Sequence, residues 1–353
     1  MGPRLAVVVL CCILSASGPF RERTGSGLSL RAAQAAQEPI APKRDFERWL
    51  EAVRVEAASR GIRAEILDAA LKDLEPLQIV TERDSTQAEF TLTLDQYLQR
   101  RLTARTVRDG RRQAAEHRAL LAKVSKAYGV PPHVLVAVWG LESNYGRFSG
   151  VRPTVAVLAT LAYDGRRGEF FRGELLTALE ILDRGDVPPE RLKGSWAGAL
   201  GQPQFMPSTY VKFAEDFDGD GRRDIWASLP DVFASIARYL REHGWVKGER
   251  WGREVKLPRD PGSLFREAPL RTEGCLALRE TSEPLPLTRW SELGVRALGG
   301  GRLPKADMQA SLVRAGSRSF LVYANYEALI AYNCAHSYAL SVALLSDRIA
   351  GSS

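Results

Sequence analysis

Apolar residues recur three and four positions apart along much of the chain, which is the spacing of one face of an α-helix. The first residues along the chain with this spacing are Phe46, Trp49, Leu50 and Val53. Gly61 separates this helix from the next one. We therefore predict an N-terminal helical domain over residues 44–126, with the arginines at positions 100–112 on its solvated surface.

The most informative helix is predicted for residues 134–146, directly after Pro131-Pro132. Proline suits the first turn of a helix, where its missing N–H leaves no bond unmade, and Gly146 is predicted to end the helix. Four residues share one predicted face: Leu135, Val138, Trp139 and Glu142. Because three of the four are apolar, we expect this face to point inward.

The position of Glu142 near the C-terminal end of this helix bears on its acidity. Burial removes water from a carboxylate, and the negative end of the helix dipole repels it, so both disfavour the charged form. We therefore expect a raised pKa for Glu142, and such an acid can serve as a general acid near neutral pH. The alternative is a helix-end glutamate whose side chain turns out to water.

Residues 193–210 are rich in glycine and proline and do not suit an ordinary helix. Small residues interspersed with Trp196, Gln202 and Gln204 are typical of a loop whose backbone approaches a ligand closely. Helical spacing surrounds this loop, so we predict a helical core over residues 127–250.

The pattern changes after residue 250. Over residues 251–318 the apolar runs are short, as at 254–257 and 275–278, and prolines and glycines are frequent. This texture predicts a small β-rich subdomain, followed by a last strand at residues 319–323 and a helix to residue 349. The predicted fold class is therefore mainly α (α+β).

Composition and charge narrow the function. The chain has 353 residues, is 45% hydrophobic and carries a formal net charge of +7. A modest basic excess suits nucleic acid, anionic membranes or anionic cell-wall polymers. No dense run of lysine and arginine is interleaved with aromatic residues, so we expect no nucleic-acid partner.

Residues 1–18 predict an export signal. Arg4 precedes an apolar run from Leu5 to Leu14, and small residues follow to Gly18. Cleavage is expected near Gly18 or as late as residue 36, and a short N-terminal anchor is the alternative. Residues 19–43 are predicted to form a flexible lead-in. We therefore expect an exported, periplasmic protein.

Removal of the signal leaves two cysteines, Cys275 and Cys334. An even number of cysteines in an oxidising compartment predicts a disulfide between them. Two free buried thiols are the alternative.

The sequence lacks the residues that several kinds of catalytic site require. The chain has four histidines, and none is spaced as a zinc-binding pair. It has no Gly-x-Ser-x-Gly, no phosphate-binding loop and no Gly-x-Gly-x-x-Gly of the dinucleotide type. These absences argue against a catalytic metal, a serine hydrolase and a nucleotide enzyme.

A calcium-type loop is predicted at residues 216–227. Oxygen ligands at loop positions one, three and five, glycine at six and aspartate at nine match such a loop. The predicted ligands are Asp216, Asp218, Asp220, Arg222 through its carbonyl, and Asp224. Position twelve is Ala227 instead of an acidic residue, which should weaken the site. The alternative is an Asp/Gly turn that holds no ion.

Four blocks of the sequence resemble the lytic murein transglycosylase B family of the lysozyme-like superfamily. The blocks are Trp139–Gly146, Gly194–Tyr210, Asp216–Trp226 with Tyr239–Trp245, and Asn325–Asn333 with Ser337–Ala339. They come in the order of the family and span nearly the whole chain after the signal. The second block is long and unusual, so chance similarity is a poor explanation.

The resemblance implies a lysozyme-like helical core, completed by residues 319–353, with Glu142 as the single acid/base. It implies a sugar groove lined by Ser195, Gln204, Tyr239, Asn333 and Tyr338. Further substrate contacts are implied at Tyr97, Arg166 and Arg167. It also implies the calcium loop described above, with no cofactor required for the reaction.

The resemblance further implies cleavage of the MurNAc–GlcNAc bond of peptidoglycan glycan strands to 1,6-anhydromuramic ends. No second acid follows Glu142 closely in sequence, which agrees with assistance by the substrate's own N-acetyl group. We expect a monomer, with other wall-remodelling proteins as further candidate partners. The alternatives are a non-catalytic wall-binding scaffold and a hydrolytic muramidase.

Overall fold

The computed structural model describes residues 43–80, 93–164 and 167–351. The predicted export signal and the lead-in as far as residue 42 lie outside the described residues. The export signal and the lead-in therefore stay predictions.

Helices make up most of the described chain. In the first half they are α1 Lys43–Ser59, α2 Ala64–Leu71, α3 Leu94–Arg101, α4 Ala104–Glu116, α5 Arg118–Tyr128, α6 Pro132–Ser143, α7 Thr154–Tyr163 and α8 Gly168–Asp183. In the second half they are α9 Pro207–Phe213, α10 Leu229–Glu242, α11 Gly262–Glu267, α12 Leu276–Arg279, α13 Leu287–Glu292, α14 Ala324–Tyr332 and α15 His336–Ala350. The prediction of a mainly α protein is confirmed.

Helix α6 lies in the centre of the largest core. Every residue from Val134 to Leu141 is buried, so the helix is enclosed on all sides and not on one face as predicted. It ends at Ser143, three residues before the predicted Gly146. Asn144 is the C-cap with φ 51°, a left-handed conformation that asparagine tolerates better than most residues.

The N-terminal helices share their core with the rest of the chain. Helix α1 packs on α7 and α8, α4 packs on α6 and α15, and α5 packs on α10. One continuous hydrophobic cluster runs from Phe46 to Ile349. Residue 126 is therefore not a boundary between cores, because the apolar faces before and after it cover each other.

Two of the arginines predicted to be solvated bind the ends of other helices. Arg101 Nη2 donates to the Leu141 carbonyl at 2.8 Å, and Arg111 Nη2 donates to the Arg348 carbonyl at 2.7 Å. Arginine suits such places because the last carbonyls of a helix have no partner within the helix.

A five-stranded antiparallel sheet has a separate hydrophobic core. Its strands are β3 Gly252–Lys256, β4 Leu285–Pro286, β5 Arg296–Ala297, β6 Gln309–Ala315 and β7 Arg318–Val322, in the spatial order β4-β6-β7-β3-β5. Two short strands elsewhere pair with each other: β1 Arg152–Pro153 and β2 Lys193–Gly194. Residues such as Leu264, Trp290 and Leu321 form the core of the sheet.

Two predictions for this region are corrected. The sequence predicts the strand at 319–323 together with the C-terminal helix, but β7 lies in the middle of the sheet, where its Phe320 is opposite Val313 of β6. The sequence predicts the run 275–278 as part of the β-rich subdomain, but Cys275 is the N-cap of helix α12 and the other residues of the run lie in that helix. The physical reason is that Ala277 packs into the main helical core and not into the sheet.

The predicted single C-terminal helix is two helices. Helices α14 and α15 meet at 120° across residues 333–335. Asn333 and Ala335 have extended conformations, with φ near −150°, which no α-helix accommodates. Within the described ranges no single helix is long and apolar enough to cross a bilayer, although this bent pair would be if taken together.

Candidate active site

Glu142 lies in the last turn of α6, half-buried at the end of an otherwise enclosed helix. The surrounding turn is held by hydrogen bonds on both sides. Ser143 Oγ donates to the Trp139 carbonyl at 2.8 Å and accepts from Gly146 N–H at 3.0 Å. The bond from Arg101 to the Leu141 carbonyl fixes the residue before Glu142. The backbone that carries the carboxyl group is therefore rigidly placed.

Two buried tyrosines face Glu142. Burial first, and then the charge of the Glu142 carboxylate, raise the pKa of Tyr332 and that of Tyr338 well above the ordinary value. The two rings stack with their centroids 6.2 Å apart. Tyr97 lies near the Tyr338 hydroxyl, since it also contributes to the raised pKa of Tyr338. The Tyr332 and Tyr338 hydroxyls therefore stay protonated at neutral pH. The Tyr332 hydroxyl donates to the Pro203 carbonyl at 2.7 Å, so Tyr338 is the donor that remains for Glu142.

Asn333 follows Tyr332 directly and has an unsatisfied acceptor. Its Oδ1 atom is buried without a hydrogen-bond partner among the described residues. An unpaired buried polar atom costs about 1–3 kcal/mol. A ligand that donates a hydrogen bond at this position would remove that cost, which makes Asn333 the clearest sign of a binding site.

The Gly/Pro-rich segment forms a folded-back loop. Ser195 Oγ accepts from Ala199 N–H at 3.1 Å, and Leu200 pairs with Phe205. Gln204 has φ 55° and its Nε2 donates to the Gly201 carbonyl at 2.8 Å. The predicted loop extended to Tyr210, but helix α9 begins at Pro207 because proline is suited to a first helical turn.

Gln202, in the same loop, joins three segments of the chain. Its Oε1 accepts from Trp139 Nε1 at 2.6 Å, and its Nε2 donates to the Trp226 carbonyl at 2.8 Å. Its side chain is buried. Helix α6 is thereby tied to the loop and to the segment after the acidic turn. No local pattern announces this role, because both partners are distant in sequence.

Tyr239 is the least available of the predicted groove residues. Its hydroxyl donates to the Ala331 carbonyl at 2.6 Å, and its ring stacks on His243 with centroids 3.9 Å apart. Its ring also meets Tyr332 edge-on at 4.7 Å. Tyr239 therefore supports the wall that Tyr332 presents, and burial raises its pKa.

The structure describes only one of the predicted arginine pair. Arg166 lies outside the described residues. Arg167 precedes α8 and its guanidinium lies 4.9 Å from the centroid of the Phe171 ring. Its role as a substrate contact stays a prediction.

The acidic loop brings together a different set of carboxylates from the predicted one. Oxygen atoms of Asp216, Asp218 and Asp231 lie within 4.8 Å of one another. Asp231, in the first turn of α10, is buried, and burial raises its pKa. Its two oxygens also accept from Phe217 N–H and Asp224 N–H, both at 2.8 Å.

The other predicted ligands have different partners. Asp220 Oδ1 accepts from Arg222 N–H at 2.9 Å, and Asp224 forms an ion pair with Arg191 at 3.1 Å. Asp231 was missed because a twelve-residue loop was counted, which places Ala227 at the last position. Asp231 lies in the following helix, four residues beyond Ala227.

Cys275 and Cys334 form a disulfide with their Cα atoms 6.3 Å apart. Cys275 is the N-cap of α12, and Cys334 lies between α14 and α15. The bridge therefore joins the sheet-bearing segment to the break that follows Asn333.

Comparison with known proteins gives a family match. The model of a family described as "Transglycosylase SLT domain" matches residues 45–347. The membrane-bound lytic murein transglycosylase B of Escherichia coli strain K12 is 44% identical over 131 residues, which are 37% of this chain and 36% of that protein. The alignment thus spans about a third of that relative.

Solved structures resemble the whole described fold. SltB3 from Pseudomonas aeruginosa in complex with NAG-anhNAM-pentapeptide matches with a TM-score of 0.79 and 42% identity, covering 87% of this chain and 80% of that one. The Escherichia coli lytic transglycosylase Slt35 in complex with calcium matches with a TM-score of 0.70 and 27% identity, covering 87% and 92%. The predicted lysozyme-like fold is confirmed.

Proposed function

The chain belongs to the transglycosylase SLT domain family, and from that membership we propose that it is a peptidoglycan lytic transglycosylase with Glu142 as its only acid/base. The observation that carries the proposal is the placement of Glu142 beside Tyr332 and Tyr338. Asn333, which follows Tyr332 in the chain, has a buried acceptor without a hydrogen-bond partner among the described residues. A carboxylic acid and an unpaired hydrogen-bond acceptor suit a sugar whose N-acetyl group can donate its N–H.

In the first step the Glu142 carboxylic acid donates its proton to the oxygen between MurNAc C1 and GlcNAc. The C1–O bond breaks, and the acetamido carbonyl oxygen of MurNAc bonds to C1 in its place, as in substrate-assisted glycosidases. Asn333 Oδ1 accepts from the acetamido N–H and so holds that group in line.

In the second step Glu142, now a carboxylate, takes the proton of the MurNAc C6 hydroxyl. The C6 oxygen attacks C1, and the bond from C1 to the acetamido oxygen breaks. The product is a 1,6-anhydro sugar, Glu142 is protonated again, and no water is consumed. The protonated hydroxyl of Tyr338 can donate to the carboxylate while it is charged.

The loop and the aromatic wall define the groove. Ser195, Gln204, Tyr239 and Tyr97 contribute to it, Tyr239 through its contact with Tyr332. The substrate that we propose is the peptidoglycan glycan strand. SltB3 from Pseudomonas aeruginosa has been solved in complex with NAG-anhNAM-pentapeptide and with NAG-NAM-pentapeptide, which supports this substrate class.

We also propose a structural calcium ion at Asp216, Asp218 and Asp231. Calcium takes six to eight oxygen ligands at about 2.3–2.6 Å, so two ligands of one ion can lie nearly 5 Å apart. The spacing of the three carboxylates fits this, and Slt35 is named in complex with calcium. The ion would brace the segment that Gln202 ties to the catalytic helix.

Export to the periplasm, a place at the wall and a monomeric state complete the proposal. The name of the membrane-bound relative supports the place at the wall. Two other functions use the same groove: a hydrolytic muramidase admits water in the second step, and a scaffold protein only binds the strand.

The test replaces the proton donor. Glu142→Gln removes the acid but keeps its shape, so kcat on isolated sacculi should fall by roughly 10²–10⁴-fold with an unchanged melting temperature. Glu169→Gln, at an exposed glutamate of α8, is the control and should keep full activity. Activity of the Glu142 variant within about tenfold of the parent would refute the assignment.

A further inference from the structure

A covalent bridge anchors the point at which the two C-terminal helices change direction. Cys334 is in the three-residue break between α14 and α15, which meet at 120°. Its partner Cys275 is 59 residues away in sequence and caps the N-terminus of α12. The break is therefore tied to a segment that is distant in sequence and packs on the same hydrophobic core.

The break lies between the two tyrosines that face Glu142. Tyr332 ends α14, Asn333 follows it, and Tyr338 lies in the first turn of α15. The Tyr332 hydroxyl donates to the Pro203 carbonyl of the Gly/Pro-rich loop at 2.7 Å, so the position of the break affects the loop as well. Tyr332 and Tyr338 are held by the helices that carry them, whereas Asn333 lies in the break and is the groove residue that a shift of the break would move.

The backbone hydrogen bonds around Asn333 are modest. Asn333 N–H reaches the Leu329 carbonyl at 3.3 Å, and Ala335 N–H reaches the Asn333 carbonyl at 2.8 Å. Asn333 itself has an extended conformation, so the helical hydrogen-bond ladder ends with its N–H. Such a segment depends on tertiary contacts for its conformation.

The segment around Cys275 is itself firmly placed. Ala277 is buried in the main core, and Thr281 Oγ1 donates to its carbonyl at 2.8 Å. Nearby, Arg271 Nη2 donates to Glu327 of α14 at 2.7 Å and to Ser311 of the sheet at 3.1 Å. Cys275 is therefore a fixed point from which a bridge can hold Cys334.

We propose that the Cys275–Cys334 disulfide is a positioning element of the active site, which keeps Asn333 Oδ1 directed into the groove beside Glu142. The inference rests on the proposed function. Its physical basis is the unpaired state of Oδ1: a buried acceptor without a partner is unfavourable. Without the bridge the segment can rotate the amide towards water, and the groove loses its prearranged contact with the N-acetyl group.

The experiment compares four proteins: the parent, the double variant Cys275→Ser/Cys334→Ser, Asn333→Ala, and the triple variant that combines all three changes. Each is assayed for kcat and KM on soluble glycan strands and for the affinity of GlcNAc tetramer by calorimetry. We expect loss of the bridge to lower kcat about tenfold and the affinity several-fold in the parent background. In the Asn333→Ala background, loss of the bridge should change neither value further.

Arg271→Ala is the matched control, because it loosens the same segment from α14 and leaves the bridge in place. It should lower the melting temperature and leave kcat at 25 °C unchanged. Equal loss of kcat with and without Asn333, or full activity of the bridge-free protein, would overturn the inference. If the parent itself forms no anhydro product, the proposed function fails. The tetramer affinities of the four proteins would still decide whether the bridge positions Asn333.

Discussion

Gln202 is bonded at both ends of its side-chain amide, to Trp139 of the catalytic helix and to the Trp226 carbonyl. Gln202→Leu keeps the volume but leaves the buried Trp139 N–H without this partner. We expect the free energy of unfolding to fall by about 1–3 kcal/mol, measured by urea titration. Gln113→Leu, at a half-exposed glutamine of α4, should change it by less than about 0.5 kcal/mol. Equal effects of the two substitutions would contradict the role of Gln202.

His336, at the start of α15, makes stability depend on pH. Burial lowers its pKa from 6.5 to about 4, and its Nδ1 lies 2.9 Å from the Tyr326 hydroxyl. The unfolded chain therefore binds a proton between pH 6.5 and 4 that the folded chain does not, so stability falls as the pH falls through this window. By pH 5 the loss should reach about 2 kcal/mol.

The variant His336→Gln cannot bind that proton. Its free energy of unfolding should therefore fall less between pH 7 and pH 5 than that of the parent, by about the same 2 kcal/mol. Urea titrations at both pH values measure the difference. An unchanged pH dependence would show that His336 is protonated equally in both states.

At this scale the sequence indicates the residues that belong to motifs. Glu142 was predicted from its place on an apolar helix, and Asn333 from the resemblance. Gln202 and Asp231 could not be assigned, because the partners that give them their roles come from other elements. A side chain in a tertiary hydrogen bond has no periodicity or fixed spacing that reveals it.

At the scale of elements, the acidic loop offers the sharpest comparison between the predicted and the observed arrangement. The predicted loop ends at position twelve, whereas the structure closes it with Asp231 of α10. If the ion is held by Asp216, Asp218 and Asp231, calcium at a hundred times its dissociation constant should raise the free energy of unfolding by about 2.7 kcal/mol.

Substitutions of Asp231 and Asp224 separate the two ligand sets, and Asp218 belongs to both. Asp218→Asn and Asp231→Asn should each abolish the calcium-dependent rise in melting temperature. Asp224→Asn, which removes a predicted ligand that instead pairs with Arg191, should keep most of it. Thermal melts with calcium and with a chelator measure the shift. A shift that survives in Asp231→Asn and disappears in Asp224→Asn would restore the twelve-residue loop.

The beginning of a helix can be predicted from the sequence where a proline or a capping residue determines it. Pro132 begins α6 and Ser228 caps α10, and both are visible in the sequence. The break at residues 333–335 was missed because the apolar spacing continues across it. Only the requirement to pack α14 and α15 in different directions produces the break, and that requirement is tertiary.

At the scale of the whole molecule, two hydrophobic cores differ in content and in function. The larger one encloses α6 and carries the site, and the smaller one lies under the sheet around Trp290. The sequence predicted the sheet from its change in texture. It could not predict that the N-terminal helices merge with the larger core, because amphipathic faces do not specify their partners.

Trp290→Ala tests how independent the smaller core is. The side chain is fully buried and its Nε1 donates to the Ala310 carbonyl at 2.8 Å. We expect a loss of about 3–5 kcal/mol in the stability of the sheet, with amide exchange accelerated in β6 and β7 and unchanged in α6. Leu298→Ala, at a half-exposed leucine, should have little effect. Equal acceleration in α6 would show one cooperative unit.

We propose that Glu142 cleaves the glycan strand by transferring C1 of MurNAc to the C6 hydroxyl of the same sugar. Mass spectrometry of sacculi digested in water enriched in ¹⁸O tests it most directly. The account predicts ends that are lighter than reducing sugars by one water and contain no ¹⁸O, and predicts that they disappear with Glu142→Gln. Reducing ends that carry ¹⁸O would contradict it, because water would then have completed the reaction.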